Sequence, residues 1–551
     1  MTEQPDPSTP AVAPAAAPAA AAPATPAAAV PTATDPISAA VAPGYQFEGE
    51  ALELGGLMLD ASTLSDVHIR IPLTMINRHG LIAGATGTGK TKTLQLIAEQ
   101  LAAAGVPVFA ADMKGDLSGV SAYGVTSDKI IARAASVGQT WKSSAYSTEF
   151  FAIGGKGTGI PLRVSMSAFG PTLLSRVLGL NDTQESSLGL VFHYADQNGL
   201  TLVDLNDLRA VVQYLSSDEG KGDLKDLGGL SSATAGVILR ELIAFADQGA
   251  DAFFGETEMD TRNFLRMNTE GQGVISLVEL PALQEQPQVF STFLMWLLAD
   301  LFHDLPEVGD IDKPKLVFFF DEAHLLFDGA SKAFLQSIEQ TVRLIRSKGV
   351  GVFFITQSPT DVPDNVLAQL GSRIQHQLRA HTPDDAKALR ATVNTYPTSA
   401  YDDLGKVITS LGIGEAIVTV MNENGAPTPV AWTRLRAPET LMSAATPESM
   451  EQRVQQSALY ATYATPVDPD SAREMLARKL EAGAAKQQAE APTRPTAAPK
   501  ASPAPRAPSR AARRGKDKSV VGEVVGSTAF RQVLRTTATE IVRGMFKTGR
   551  R

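Results

Sequence analysis

One segment of the sequence has the residue types and spacing of a phosphate-binding loop. Residues 84–91 read GATGTGKT, which fits Gly, four residues, then Gly-Lys-Thr. Glycines let successive backbone N–H groups face a phosphate, and the helix that follows adds the positive end of its dipole. In such a loop the lysine contacts the β- and γ-phosphates, and the hydroxyl of the last residue binds Mg²⁺. The sequence therefore predicts a site for ATP and Mg²⁺ made by Gly84, Ala85, Thr86, Gly87, Thr88, Gly89, Lys90 and Thr91.

Two consecutive carboxylates supply the second part of this chemistry. Asp321 and Glu322 directly follow the apolar run KLVFFF at residues 315–320. A P-loop enzyme needs one acidic residue to hold the water shell of Mg²⁺, and a carboxylate that orients or deprotonates the attacking water. We assign the first role to Asp321 and the second to Glu322. The alternative is that the pair only caps the next helix.

Two further polar residues flank the run VGVFFIT at residues 350–356. Gln357 closes this run, where a buried amide would need a partner such as the γ-phosphate or its water. The alternative for Gln357 is a simple strand cap. Arg346 comes just before the run, at the end of a predicted helix. It either stays solvated on its own surface, as helix-end arginines commonly do, or reaches the γ-phosphate of a neighbouring subunit.

The elements that position these residues alternate between strands and helices. The predicted strands are continuous apolar runs, as expected of a parallel sheet that is covered on both faces. A helical stretch at 90–104 follows the glycine-rich loop. This alternation predicts an α/β fold, a mostly parallel sheet with helices on both faces. The strands are predicted at residues 79–83, 106–110, 273–280, 315–320, 350–356 and 414–420.

The remaining chain divides by composition. Residues 1–43 contain 17 Ala and 10 Pro, which predicts a disordered tail and not a signal peptide. Residues 44–480 form the predicted ATPase core, with a largely helical insertion at about 117–272 and a small hairpin near 149–164. Residues 481–518 read as a Pro/Ala-rich basic linker, and residues 519–551 as an amphipathic helix. Such a helix has to bury its apolar face, so it is a candidate contact for a protein partner.

Composition excludes several classes of protein. The chain has 551 residues, a formal net charge of −10 and no cysteine. Disulfide frameworks, zinc ribbons, iron–sulfur clusters and cysteine nucleophiles are therefore excluded. No run of about 20 uncharged apolar residues indicates a membrane span, and we expect a cytoplasmic protein. The segment from Ala484 to Arg551 is basic, with 15 basic and 4 acidic residues. It is either a solubilising tail or a contact with nucleic acid or an acidic partner.

The letters DEAH at residues 321–324 suggest a DEAH-box helicase, but the wider pattern does not fit. Those helicases place this motif much closer to the P-loop. Their Ser-Ala-Thr and arginine-rich motifs are absent here. We therefore interpret His324 as a helix N-terminal residue rather than as a nucleotide sensor.

A different family fits the set of motifs. GATGTGKT, PVFAADMKGD, KLVFFFDEAH and RSKGVGVFFITQSP together resemble the HerA/FtsK superfamily of RecA-like ATPases. The similarity extends over about residues 44–480 and is greatest to YjgR-type HerA-like helicase-domain proteins. It implies a RecA-like core, ATP hydrolysis with Mg²⁺, and a hexameric ring with ATP sites between subunits. One departure is that only residues 44–78 stand where HerA proteins carry a β-barrel of about a hundred residues.

The resemblance also implies roles for arginines. An arginine ahead of the glutamine-bearing strand acts in trans in related translocases, which matches Arg346, with Arg343 and the Arg373–Arg379 stretch as alternatives. An arginine twelve residues before the P-loop lysine contacts nucleotide in these relatives, which matches Arg78. The catalytic set is therefore Lys90, Glu322, Gln357 and Arg346.

Two functions remain open at this stage. The first is an ATP-driven motor, a helicase-like translocase on double-stranded DNA. Candidate pore loops are residues 114–118 and 153–159. The second is an ATPase that remodels protein partners without a nucleic-acid track, which the acidic core favours. Stimulation of the ATPase by DNA or RNA discriminates between them.

Overall fold

The computed structural model describes residues 35–490, except residues 226–227, 284–285, 310, 329, 331 and 468. Within these residues the strands join into one twelve-stranded sheet. The strands are β1 (Ala51–Leu59), β2 (Ser62–Pro72), β3 (Gly80–Ala83), β4 (Val108–Asp112), β5 (Thr148–Ile153), β6 (Ile160–Leu162), β7 (Ile275–Glu279), β8 (Leu316–Phe320), β9 (Val350–Thr356), β10 (Ser372–Gln375), β11 (Glu415–Thr419) and β12 (Ala431–Leu435).

The sheet has a parallel part and an antiparallel edge. Its order is β2-β1-β12-β11-β10-β3-β9-β8-β4-β7-β5-β6. All neighbours from β10 to β6 pair in parallel. The strands from β2 to β10 on the other side pair antiparallel. Because parallel strands end at the same edge, the carboxyl ends of β3, β4, β8 and β9 meet there. This confirms the predicted α/β class.

Fully buried strands build the centre of the sheet. Every residue of β8 and β9 is buried. Their aromatic rings pack across the strand pair, with ring centroids 5.3 Å apart for Phe319 and Phe353 and 5.7 Å apart for Phe320 and Phe354. Such runs, apolar on both faces, are stable only under helices on both sides. The central strands therefore form a rigid support for the loops that follow their carboxyl ends.

Helices cover the sheet and connect its strands. Several helices begin with reciprocal capping boxes, as at Asn181 with Gln184 and at Asp204 with Asp207. The α-helices of the described residues are α1 (Pro36–Val41), α2 (Lys90–Ala103), α3 (Asp128–Ser136), α4 (Met166–Phe169), α5 (Pro171–Val177), α6 (Asp182–Gln197), α7 (Leu205–Ser216), α8 (Ser232–Asp247), α9 (Pro287–Asp304), α10 (His324–Phe327), α11 (Lys332–Ile345), α12 (Asp364–Leu367), α13 (Pro383–Val393), α14 (Leu404–Ser410), α15 (Pro447–Gln456), α16 (Ala458–Tyr463) and α17 (Ala472–Glu490).

The structure corrects three details of the sequence prediction. The hairpin predicted near residues 149–164 is wrong, because β5 and β6 pair in parallel at the sheet edge. The tail predicted for residues 1–43 is too long, because α1 is ordered and Val41 is fully buried. The linker predicted from residue 481 overlaps α17, which continues to Glu490. Residues 1–34 and 491–551, including the predicted C-terminal amphipathic helix, lie outside the described residues.

The segment at 44–78 forms the antiparallel edge of the sheet. The hairpin β1–β2 pairs with β12 through Gly55, Gly56 and Leu57 of β1. The short segment therefore extends the sheet. It has too few residues to form a separate β-barrel. None of the helices in the described ranges has the length and apolar character needed to span a membrane.

Candidate nucleotide-binding site

The glycine-rich loop connects β3 to α2 at the carboxyl edge of the sheet. Gly84, Gly87 and Gly89 have φ values of +156°, +83° and +113°. A Cβ on Gly84 would lie 2.5 Å from Cβ of His376, so this position accepts no larger residue without a shift. The loop is held against the sheet by the Gly84 N–H, which donates to Thr356 O at 3.2 Å. This is the open backbone turn that phosphate binding requires.

Lys90 begins α2 and points back over the loop. Its Nζ donates to the carbonyl oxygens of Gly84 at 2.7 Å and Ala85 at 3.3 Å. Burial lowers the pKa of Lys90, although the negative charge of Glu322 acts against this shift. The ammonium group thus lies beside the predicted carboxylates, in the part of the site that a phosphate would reach.

Asp321 is a buried carboxylate at the carboxyl end of β8. It follows β8, is 2% exposed, and its Oδ2 has no hydrogen-bond partner among the described residues. Burial, and then the neighbouring charge of Glu322, raise the pKa of Asp321 to about 7. A buried carboxylate oxygen without a partner is costly unless a cation or its water shell approaches. No group of three or more acidic or histidine ligands that could hold a metal alone occurs in the described residues. The unpartnered Oδ2 of Asp321 fits Mg²⁺, which is usually bound by one or two protein ligands, waters and phosphates.

Glu322 is held by a lysine that the sequence did not single out for this site. The Nζ of Lys114 donates to Oε1 of Glu322 and forms an ion pair with it. Glu322 has a φ of +48°, an uncommon value for a residue with a side chain. Burial acts to raise the pKa of Glu322, but the bond and charge of Lys114 outweigh it and hold this pKa below its usual range. Lys114 therefore contacts the candidate catalytic carboxylate of its own chain.

Lys114 lies in a motif that the sequence analysis quoted for the family resemblance. PVFAADMKGD was part of the family pattern, but no residue type in it indicates which side chain reaches across to β8. The contact depends on the parallel pairing of β4 with β8, which brings the ends of both strands together. Residues 114–118 also remain a candidate pore loop, as the sequence predicts.

Gln357 lies at the carboxyl end of β9 but is exposed, so the argument from a buried amide is wrong. It lines a cavity of about 590 Å³ together with His324 and Asp361. Asp361 is fixed by the Thr356 hydroxyl, which donates to its Oδ2 at 2.6 Å. His324 Nδ1 lies 3.3 Å from Oε2 of Glu322. The glutamine therefore faces open space beside the candidate base.

Arg78 and Arg346 lie at the opposite edge of the sheet from the P-loop of the same chain. Arg78 ends the 3-10 helix that precedes β3, and Arg346 begins the turn that precedes β9. Both arginines help to lower the pKa of the buried His79 to about 4, with burial as the largest cause. His79 accepts the Val352 N–H at Nδ1, and its Nε2 lies 2.8 Å from Val342 O, so it is neutral and links this edge together. Arg343 is exposed on α11.

The predicted residues thus form two groups. Lys90, Asp321, Glu322 and Gln357 follow the carboxyl ends of adjacent strands, with Thr91 in the first turn of α2. Arg78 and Arg346 are together at the amino edge. Of the alternative arginines, Arg379 donates to Thr86 O at 3.4 Å and is therefore close to the P-loop of its own chain.

Strand order and site together define a RecA-like P-loop NTPase core. Taken in chain order as first to fifth, β3, β4, β8, β9 and β10 are arranged 5-1-4-3-2 across the sheet, with β7 and others added outside. The P-loop follows β3, the first of these strands. The acidic pair follows β8, the third, and β9 lies between β3 and β8 in the sheet. This is the class of protein that the fold and site establish.

Comparison with known proteins gives the family. The sequence model described as Helicase HerA-like C-terminal matches residues 58–551, and the chain therefore belongs to this HerA-like family. A curated relative, DNA double-strand break repair helicase HerA of Sulfolobus acidocaldarius, is 21% identical over 362 residues, which cover 64% of each protein. The chain thus spans less than two thirds of the length of that relative.

Solved structures with a related arrangement are more distant. The plasmid coupling protein TrwB, in complex with the GTP analogue GDPNP, is 16% identical with a TM-score of 0.47, covering 73% of this chain and 99% of TrwB. VirB4 of Thermoanaerobacter pseudethanolicus is 15% identical with a TM-score of 0.45, covering 73% of this chain and 99% of VirB4.

Proposed function

We propose that the protein is a Mg²⁺-dependent ATPase motor of the HerA/FtsK type that works as a ring on double-stranded DNA. The observation that carries this proposal is the meeting of Lys90, Asp321 and Glu322 at one sheet edge. Family membership supports a motor ATPase. The HerA relative, described as a DNA double-strand break repair helicase, supports DNA as the track.

The site offers a group for each requirement of phosphoryl transfer. Lys90 and the N–H groups of residues 84–91 bind the β- and γ-phosphates. Thr91 and Asp321 would hold Mg²⁺, the latter through water, and the ion would supply positive charge to stabilise the phosphate oxygens. Glu322 orients or deprotonates the attacking water, and Gln357 lies beside it to bind the same water or the γ-phosphate. The remaining need is a positive charge on the open side of the phosphate.

A neighbouring subunit can supply that charge. Arg78 and Arg346 are grouped around His79 at the edge opposite the P-loop. In the head-to-tail ring that we propose, the amino ends of these strands in one subunit face the carboxyl ends in the next, so both arginines would reach a nucleotide in trans. We therefore propose that Arg346 stabilises the transition state of the neighbour's site and that Arg78 assists it by binding the same nucleotide.

The first test separates binding from hydrolysis. Lys90→Ala is expected to lose ATP turnover with an unchanged fold, because it removes a phosphate contact and no core packing. Glu322→Gln is expected to bind ATP and hydrolyse it far more slowly, because the amide keeps the shape but cannot accept the proton. Normal turnover in Lys90→Ala contradicts the P-loop assignment, and loss of ATP binding in Glu322→Gln contradicts the role of Glu322.

The second test concerns the track. ATPase rate is measured with double-stranded DNA, RNA and no nucleic acid, at two salt concentrations, with Glu322→Gln as the inactive control. A DNA motor is expected to be stimulated by DNA, with binding that weakens steeply as salt rises. The core is acidic, since the whole chain carries −10 and its C-terminal segment is basic. If neither DNA nor RNA changes the ATPase rate, the result favours the alternative function, remodelling of a protein partner.

A further inference from the structure

The loop after β4 holds Lys114 in a defined place. The carboxylate of Asp112, at the end of β4, accepts backbone N–H groups from three residues of this loop: Lys114 at 3.1 Å, Gly115 at 2.7 Å and Leu117 at 2.8 Å. Asp112 is fully buried. Three hydrogen bonds to one buried carboxylate fix the loop backbone, so the Cα position of Lys114 is well defined.

The end of the Lys114 side chain is less confined than its backbone. Its side chain is 42% exposed, whereas that of Glu322, its partner, is 10% exposed. The pair therefore has a buried acceptor and a donor that borders open space. A long, flexible ammonium in this position can change partners without movement of the backbone.

Two ammonium groups converge on the same small space. The charge of Lys114 contributes to the lowered pKa of Lys90, and Asp321 and Glu322 influence the pKa of both lysines. Lys90 donates to two P-loop carbonyls and Lys114 to a carboxylate, so each holds a protein acceptor. The carboxylate of Glu322 offsets part of the repulsion between these two cations, and a second anion near both lysines would offset more of it. A terminal phosphate at the P-loop is an anion of the required charge and position.

We propose that Lys114 is a second phosphate-binding lysine, which leaves Glu322 to contact the γ-phosphate when ATP binds. This inference rests on the proposed function and adds a residue to it. The exchange has two consequences. The γ-phosphate gains a cation from its own subunit, and Oε1 of Glu322 is released to receive the attacking water. ADP has no γ-phosphate, so with ADP bound Lys114 stays on Glu322.

The test measures nucleotide affinity instead of turnover. The Kd values of Mg-ATPγS and Mg-ADP are determined by calorimetry for full-length protein in which Glu322→Gln has removed the competing charge. In this background Lys114→Ala is expected to weaken ATPγS binding about tenfold, as for loss of one charge-assisted contact, with the ADP Kd changed less than about twofold. Lys114→Arg is expected to recover part of the ATPγS affinity. Lys129→Ala, an exposed lysine on α3, is the matched control and is expected to leave both Kd values unchanged.

The comparison with wild-type Glu322 adds a test of the exchange. Glu322→Gln alone is expected to tighten ATPγS binding, and part of this gain is expected to vanish when Lys114 is Ala. If Lys114 serves only to hold Glu322, then Lys114→Ala in the Gln background has the same small effect on ATPγS and ADP, and the proposal is overturned. If no variant binds nucleotide, or if Lys90→Ala hydrolyses ATP at the normal rate, the proposed function itself fails.

Discussion

A mixture of two inactive variants tests the assignment of Arg346 to a neighbouring site. Arg346 precedes β9 and the P-loop contacts its other end, at Thr356. Seven residues of strand separate these ends by about 23 Å at roughly 3.3 Å each, which is much longer than an arginine side chain. The Arg346 side chain therefore cannot reach the nucleotide of its own subunit, and a direct contact with nucleotide has to cross an interface.

The expected size of the effect follows from this geometry. A trans arginine is worth about 10³–10⁵ in rate in GTPases, so Arg346→Ala is expected to bind ATP and to be nearly inactive. Lys90→Ala is inactive for a different reason. In a ring mixed in equal amounts, about a quarter of the interfaces combine an intact P-loop with an intact Arg346 from the next subunit. Mixing is expected to restore up to about that fraction of ATPase activity if subunits exchange and interfaces act independently.

Steady-state ATPase rates of each variant and of the mixture, after unfolding and joint refolding or co-expression, give the answer. Co-expressed wild-type and Lys90→Ala chains control for subunit exchange. An active Arg346→Ala protein shows that Arg346 is not needed for hydrolysis. An inactive mixture, with exchange proven by the control, refutes the trans role and moves attention to Arg343 or Arg379.

Three further predictions concern single features of the structure. Gly84→Ala is expected to lower both melting temperature and ATP affinity, because its Cβ would lie 2.5 Å from that of His376. Gly87→Ala also strains the backbone, at a φ of +83°, but its Cβ meets no atom within 4 Å, so it is the control for the contact and is expected to lower the melting temperature less. Equal effects contradict the close contact. Burial raises the pKa of Glu279 to about 8, so the free energy of unfolding is expected to fall as pH rises from about 4.5 to 8. Glu279→Gln is expected to remove this fall and, in urea unfolding at pH 9, to be more stable than the wild type by at most about 5 kcal/mol. A pH dependence that the substitution leaves unchanged contradicts this role of Glu279. Removal of residues 1–43 is expected to cost about 2 kcal/mol because it deletes the buried Val41, whereas removal of residues 1–34 leaves the melting temperature unchanged; identical melting curves refute the role of α1.

The sequence predicted the parallel centre of the fold because its signals are local. KLVFFF and VGVFFIT can be buried only between two layers, and they form β8 and β9. The P-loop also needs no tertiary information, since its spacing contains the backbone geometry. Short edge strands were harder, because β6 has three residues and no periodicity to measure. Its parallel pairing with β5 is decided by contacts far away in the chain.

The site shows the same division between local and distant information. Asp321 and Glu322 were predicted as a pair because they follow a strand directly. Lys114 was missed because its partner is 208 residues away, and only the pairing of β4 with β8 brings them together. Gln357 was predicted at the correct strand end, but its exposure depends on the open cavity beside α12, which no local pattern reports.

Strand direction turns these separate observations into one argument about assembly. The family resemblance implied a nucleotide contact for Arg78, although it did not say on which subunit. Arg78 precedes the amino end of β3, and the P-loop follows the carboxyl end of the same strand. The strand therefore separates Arg78 from the P-loop of its own chain. β9 does the same for Gln357 and Arg346. Two adjacent strands therefore place candidate phosphate-binding groups at one end and arginines at the other. If both arginines bind nucleotide, as we propose, a single chain has only half of each site, and a closed ring is the arrangement that completes all of them.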